Sequence, residues 1–324
     1  MSNLLDKASI ILTPTASNTS EVLCVKPSDG TGDFDFSRAT EATRINSLGL
    51  VETIGINLPR INYEGGCGSW LWEPQSTNLY LNSETLSTQT ITTTANQYSV
   101  SFYGTGTITF SGTYTGSLIG TGLNDRVTAT FTATSGTLTS TISGTVTKAQ
   151  IEQLSYTTSY IPTSGSTVTR NQDLCTNGGS LASINSTEGT LYAEIAVLAN
   201  DGTARYLGLS DGTSDNRVVI LYYSPINKIR FIIESEDVKY LDENFLLSDI
   251  TEFHKVAISY KLNDFKVYVD GVLKINDTIG NTPIGLNVLS FDLGGSSPFF
   301  GKTKAVAVWK EALSDAELTE LTTI

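Results

Sequence analysis

Histidine is nearly missing from this chain of 324 residues: His254 is the only one. A Ser-His or Cys-His nucleophilic pair would have to pass through it. It sits in "TEFHKVAISY", at the start of an expected strand, where a lone imidazole more often packs or meets solvent than does chemistry. No HExxH or P-loop is present. Cysteine is scarce too. Cys24, Cys67 and Cys175 lie far apart with no CxxC pair, which excludes a typical zinc site, and an odd number argues against a full disulfide framework. Three buried or unreactive thiols are expected. Basic residues number 20 against 33 acids, for a net charge of −13. Gripping phosphate backbones or anionic bilayers takes clustered Lys and Arg, so neither nucleic acid nor a membrane is an expected partner. No apolar run approaches the roughly 18 residues of a spanning helix. The start, "MSNLLDKASIILTPTASNTS", has only a short apolar run with acids nearby and reads as no signal peptide, so a soluble product made in the cytoplasm is expected.

Thr, Ser, Gly and Asn fill the gap left by charge (16%) and apolar residues (39%), a mix that favours strands joined by tight turns. Three zones differ. Residues 1–80 carry dense turn signals ("KPSDGTGD", "YEGGCGSW") and predict an irregular region with short strands. Between Leu79 and Thr147 the only charges are Glu84, Asp125 and Arg126. There "QYSVSFYG" puts Tyr98, Val100 and Phe102 on one face, and "RVTATFTA" repeats the pattern with Val127, Ala129 and Phe131. Residues 81–173 therefore predict a small antiparallel β-sandwich with hydroxyls outward. A linker is expected near 160–182, around Pro162. Residues 183–324 hold seven strand candidates at sandwich spacing, from "GTLYAEIAVL" to "KTKAVAVWK". In "FKVYVDGVLK", Asp270-Gly271 suits a type I′ hairpin. "SDAELTEL" opens on a capping box, Ser314 with Glu317, and predicts one short C-terminal helix. The fold class is all-β: two β-sandwiches in tandem after an irregular N-terminal region.

Sites are sparser. "DFDFSRATEATRIN" crowds Asp33, Asp35, Arg38, Glu41 and Arg44 beside Phe34 and Phe36, with Arg60 and Glu73 downstream. No nucleophile or acid–base spacing organises them. They read as an ion-pair network that staples irregular segments, in which Arg38 or Arg44 would pair with Asp33, Asp35 or Glu73. Glycoside hydrolysis needs two carboxylates across one sugar bond, such as E-x-D-x-x-E on one strand face, and that spacing is absent. "ESEDVKYLDE", with Glu234, Glu236, Asp237, Asp242 and Glu243, reads as a solvated turn. Calcium is the one cofactor with oxygen ligands in loops, best at Asp211, Asp215 and Asn216; Asp201 with Asn200 and Asp277 with Asn276 are weaker sites. Candidate aromatic platforms for sugar are Tyr222, Tyr223 and Tyr240, with Trp70 and Trp72; of the adjacent Tyr222 and Tyr223, one must point outward.

A series of motifs carries a resemblance: "KPSDGTGDFDFSRATEATRINSLGLVE", "LPRINY", "LWEPQSTNLYLNSE" and later "AQIEQLSYTTSYIPTSGSTVTRNQD". Over roughly residues 10–85 and 148–173 it is similar to a block recurrent in tailed-bacteriophage virion proteins, mostly fibres and receptor-binding appendages. The third zone, with "VYVDGVLK" and "VAVWKEALSDAELTEL", resembles the laminin-G/concanavalin A-like lectin sandwich. The resemblance implies a non-enzymatic structural protein of the virion, a head or tail fibre, capsid decoration or other compact appendage. It would assemble with capsid, portal or tail components as a homo-oligomer, by resemblance a trimer. The lectin-like domain would be exposed to host-surface glycan. A tail polysaccharide depolymerase and a purely capsid-stabilising decoration protein are the competing readings.

Overall fold

The computed structural model describes residues 2–15, 19–223 and 227–324. The chain forms two compact units, one of residues 1–37, 57–72 and 173–324, the other of residues 38–56 and 73–172.

The first unit is a sandwich of two antiparallel sheets. The larger sheet runs in the order Val272–Asp277, Asp264–Val269, His254–Lys261, Glu188–Val197, Gly301–Trp309, Ser69–Trp72, Ile61–Asn62, and Ile10–Leu12 also pairs with Gly301–Trp309. The smaller sheet runs Val238–Leu246, Lys228–Ser235, Arg217–Tyr222, Arg205–Ser210, Val288–Ser290. Period-2 alternation sends Leu191, Ala193 and Ile195, Val256 and Ile258, and Val306 and Val308 inward from one sheet. Leu207, Leu209, Val218, Ile220, Phe231 and Ile233 come inward from the other. Each such Val, Leu, Ile or Phe side chain contributes roughly 1.5–3 kcal/mol on burial. The larger sheet is buried on its other face as well. There Tyr192, Ala257, Tyr268, Ala307 and Trp309 pack with Leu4, Leu313 and Leu318. Leu318 comes from the helix Asp315–Thr322, which Ser314 and Glu317 cap reciprocally. Leu4 comes from a second helix, Ser2–Lys7, beyond the single C-terminal helix expected. Trp309 Nε1 donates to the carbonyl of Leu4 at 2.9 Å. Asp270 (φ 50°) and Gly271 (φ 77°) form the expected hairpin turn.

The strand expectation for residues 1–80 held only as to length. These residues divide between the two units, and residues 10–12, 61–62 and 69–72 are strands of the first unit's larger sheet. A cut at residue 183 would strip those strands from the sandwich. Trp70 and Trp72 are buried in its core, stacked at 5.8 Å. Neither is a platform for a ligand.

The second unit has its own core. One sheet is Gly122–Thr132, Gln97–Gly104, Thr147–Glu152; the other is Gly116–Ile119, Thr107–Gly112, Gly136–Ser143, Gln89–Thr93. Tyr98, Val100 and Phe102 face inward with Ile108, Phe110 and Leu138. The opposite face of the second sheet is hydroxyl-rich: Thr109 lies between Ser117 and Thr141, and Thr139 between Ser111 and Thr90. Gly104 (φ 130°) allows the close passage of residue 145, since a Cβ there would lie 2.1 Å from the Thr145 carbonyl oxygen. The hairpin Ala42–Ile45/Val51–Ile54 and the pair Ser76–Asn78/Val168–Arg170 complete this unit's described strands.

Candidate functional site

The charged stretch at 33–46 is divided between two tasks. Phe34 and Phe36 lie on a strand and enter the first unit's core, 5.6 Å from Phe291 and 5.9 Å from Trp72 respectively. Asp33 accepts from the amide of Cys24 (2.7 Å), and Asp35 accepts from Asn177 Nδ2 (2.7 Å). Arg44 pairs with Glu52 across the hairpin at 2.8 Å, and Arg38 donates to the carbonyls of Thr40 (2.9 Å) and Gly55 (2.8 Å). Glu41 is exposed.

The buried ion pairs use partners that spacing did not reveal. In the first unit Arg60 meets Asp173 at 2.5 Å with both side chains wholly buried. In the second, Arg170 meets Glu73 at 2.7 Å, again with almost no exposure. Glu73 also accepts from the amide and hydroxyl of Ser159, both at 2.6 Å. Arg170 further donates to Ser159 Oγ (2.9 Å) and the Pro74 carbonyl (2.7 Å). Beside them the buried Glu152 accepts from Ser76 Oγ (2.5 Å), from the Thr158 amide (3.0 Å) and from the Thr158 hydroxyl. Asn78 ties Ala149, Ile151 and Ile161 together through its amide group. The motifs "WEPQSTN", "IEQ", "YTTSYIP" and "VTR" thus meet in one polar core, with each carboxylate satisfied by charge or by hydrogen bonds.

The loop residues read as calcium ligands serve one another instead. Asn216 Oδ1 accepts from the amides of Glu236 and Ile284, both at 3.1 Å, and its Nδ2 donates to Asp211 Oδ2 at 3.0 Å. Asp211 Oδ1 accepts from Thr213, and Asp215 accepts from the Ser214 hydroxyl. Asn216 therefore presents an amide hydrogen where a shared cation would need oxygen. Among the described residues no group of three or more His, Cys, Asp or Glu is placed to hold a metal. His254 is buried, with Nδ1 2.6 Å from Asp270 Oδ2 and Nε2 2.9 Å from the Asp249 carbonyl oxygen, so it joins a loop to the 270–271 hairpin. Glu234 is no solvated acid: it is 4% exposed and paired with Arg217 at 2.6 Å. The turn of that segment is confined to Glu236 (φ 49°) and Asp237 (φ 65°), and Val238–Leu246 is strand.

The three tyrosines separate cleanly. Tyr222 follows Val218 and Ile220 into the core, is 1% exposed, and cannot touch a ligand. Its neighbour Tyr223 points the other way, half-buried under the Arg230 guanidinium at 5.1 Å. Arg230 grips Asp242 with two hydrogen bonds, Nη2 to Oδ2 at 2.5 Å, and holds that carboxyl below the usual carboxylate range. Asp242 in turn lines a cleft of about 390 Å³ between Val238–Leu246 and Val272–Asp277, the outermost strands of the two sheets at one side of the sandwich.

Tyr240, Asp242, Glu243, Lys274, Asn276 and Asp277 line this cleft, with Phe245 and Ile275 packed at its base against the core. Tyr240 is half-buried, and its hydroxyl accepts from Asn281 Nδ2 at 3.0 Å. Gly280 (φ 154°) brings the chain against the ring; a Cβ there would lie 2.9 Å from Tyr240 Cβ. The ring is thus fixed at one end by backbone and at the other by an amide. An oriented aromatic beside carboxylates, an amide and an amine is chemistry suited to a polyhydroxylated ligand, with apolar ring against C–H and polar groups against O–H. Of the residues singled out in the sequence, Tyr240, Asn276 and Asp277 come together here, joined by Glu243 and Asp242 from the stretch read as a turn.

Residues 168–319 match the model of the Concanavalin A-like lectin/glucanases superfamily. The C-terminal part of the chain is a concanavalin-like jelly roll. Among solved structures, the jelly roll is similar to the CBM40 of a Ruminococcus gnavus sialidase bound to α2,3-sialyllactose (18% identity, 45% of this chain and 93% of that one, TM-score 0.37). It is also similar to domain 4 of an extracellular arabinanase from Geobacillus stearothermophilus, in complex with arabinotriose (14%, 47% and 73%, TM-score 0.40). A leech intramolecular trans-sialidase is covered over 26% of its own length (19% identity, 46% of this chain, TM-score 0.37). No curated protein sequence matches the chain.

Proposed function

We propose that the chain is a non-enzymatic structural protein of a tailed-bacteriophage particle whose jelly roll binds host-surface glycan. The observation that carries the binding reading is the cleft with the fixed Tyr240 ring, in a sandwich that matches a lectin superfamily model. The virion role follows from the motif block at residues 10–85 and 148–173. Its residues build ion pairs and a polar core rather than a reaction centre, as suits an assembly part. In this reading the protein is a homo-oligomeric fibre, decoration or appendage built onto capsid, portal or tail components. The binding test is a glycan array and host-cell adsorption with the full chain, wild type against Tyr240→Ala. Loss of the ring lowers affinity about tenfold, equivalent to about 1.4 kcal/mol. Absence of binding to any glycan or host surface refutes it.

A depolymerase reading draws on one feature, the carboxylates Glu243 and Asp277 in the same cleft. Sugar release from host polysaccharide by the wild type, abolished in Glu243→Gln, would replace the binding reading with that one.

A further inference from the structure

The sheet edges of the two units are finished differently. An open edge carries unpaired N–H and C=O groups, and charged side chains normally keep it from adding another strand. In the first unit Val238–Leu246 carries Lys239, Asp242 and Glu243, and Val272–Asp277 carries Lys274 and Asp277. In the three-stranded sheet of the second unit, Thr147–Glu152 is covered: Leu79 donates to the Ile151 carbonyl and Ala149 to the Ser83 carbonyl, both at 2.9 Å. The opposite edge, Gly122–Thr132, pairs with Gln97–Gly104 on one side and, among the described residues, with no strand on the other. Its residues 123–125 lie outside the register, and residues 127–132 carry no charge. Apolar surface accompanies this edge. Ile119 and Leu123 are 64% and 66% exposed. Tyr114, stacked on Phe131 at 4.2 Å, is only half-buried, as are Val127 and Ala129.

We propose that residues 126–132 pair with the same strand of a second copy of this chain, an inference that rests on the homo-oligomeric assembly proposed above. The two strands run antiparallel about a two-fold axis normal to the sheet and join two three-stranded sheets into one of six strands. Such an edge is its own complement, because every second residue turns both its N–H and its C=O outward. The axis also keeps the faces matched. Exposed Thr128, Thr130 and Thr132 meet their like, where cross-strand Thr pairs are favourable, and Val127, Ala129 and Phe131 stay on the core side. Charge favours a second copy as the occupant. The chain carries −13, so two copies repel over most of their surface, yet between residues 85 and 147 the only charges are Asp125 and Arg126, which cancel. A self-paired edge closes in twos, so an even number of copies is expected, not the trimer that the motif resemblance implies.

The test is sedimentation velocity of the full chain between about 1 µM and about 1 mM, which should show an even-numbered assembly. Thr128→Lys with Thr130→Lys sets cations against cations across the axis, and each facing pair about 5 Å apart weakens association roughly fourfold at the dielectric of water. The double variant should therefore raise the dissociation constant at least about fourfold and keep the wild-type circular dichroism spectrum, since both positions are exposed. Thr92→Lys, on the exposed, uncharged edge strand Gln89–Thr93 of the other sheet, should leave the assembly unchanged. If the double variant does not fold, hydrogen exchange on the wild type decides: amides of residues 126–132 should exchange more slowly as protein concentration rises. A trimer, an assembly indifferent to the double variant, one broken by Thr92→Lys, or exchange independent of concentration overturns the inference and leaves the homo-oligomeric reading standing. A chain that stays monomeric throughout removes both.

Discussion

Replacing Arg170 by Met tests whether the polar core of the second unit holds that unit together. The substitution keeps most of the side chain's length and removes its charge. Glu73, 2% exposed, would lose its 2.7 Å partner. Removing one member of a buried pair costs about 3–5 kcal/mol. The lost donations to Ser159 and Pro74 belong to the same event and are not added separately. For a unit of about 120 residues (38–56 and 73–172), total stability is of the order of 6–18 kcal/mol. The loss is therefore about a sixth of the whole or more. At an entropy of unfolding near 0.25 kcal/mol/K for that size, about 4 kcal/mol corresponds to a fall in Tm of about 16 °C. In urea, with a slope of about 2 kcal/mol/M, the midpoint should fall by about 2 M. Circular dichroism melts and urea titrations of the full chain give both numbers. Adding Glu73→Gln to Arg170→Met should recover part of the loss, because the buried carboxylate charge is removed along with Arg170. A Tm within about 4 °C of wild type, or a double variant no more stable than Arg170→Met alone, would refute the reasoning.

Two more expectations follow from buried titratable groups. Burial pushes the Asp292 carboxyl up, against a 3.0 Å hydrogen bond from the Gly295 amide. A raised folded-state value means a contribution to stability that is present below about pH 3.9 and lost as pH rises through the folded value. Asp292→Asn keeps an acceptor for Gly295, so it should stabilise the protein at pH 7 and have little effect at pH 3, read as urea midpoints; equal effects at both would contradict this. The thiols should separate as sharply. Cys67 is exposed, whereas Cys24 is buried, donates to the Gly32 carbonyl at 3.1 Å, and is pushed up to about 12 by burial and by Asp33. Burial also raises Cys175 well above its ordinary value. A thiol reagent at about pH 8 should modify Cys67 alone in the native protein and all three cysteines after denaturation, since only accessible thiolate reacts. Prompt reaction of a second native thiol would show that one of these sites opens.

Much of the fold was legible because its signals are local. Alternation placed Tyr98, Val100 and Phe102 on one face; Asp270-Gly271 and Ser314/Glu317 named a turn and a helix start from adjacent residues. Partners across long separations were not. Arg60 is 113 positions from Asp173, and Arg170 is 96 from Pro74, so the choice of partner belongs to tertiary structure. Alternation also has no sign: it required Tyr222 and Tyr223 to face opposite ways, and only the packing of Val218 and Ile220 showed which faces inward. The short strands 10–12, 61–62 and 69–72 lacked the length for a periodic signal. The cleft was illegible for a different reason. It lies between the outermost strands of two sheets, and nothing in either strand's sequence states that the other lies opposite.

The pairing of Ile10–Leu12 with Val306–Val308 has a consequence for synthesis. A ribosome adding about 5–20 residues per second reaches the partner strand some 15–60 s after the first one emerges. Residues 38–56 and 73–172 have their own partners well before then and can fold in the interval. Ile10 and Leu12, wholly buried in the finished sheet, stay bare on the nascent chain throughout. Closing that span as a free loop would cost about 5 kcal/mol in entropy, which falls as the strands between take shape. The larger sheet is thus the last part to be completed, and the early strand is the natural place for a chaperone to hold the growing chain.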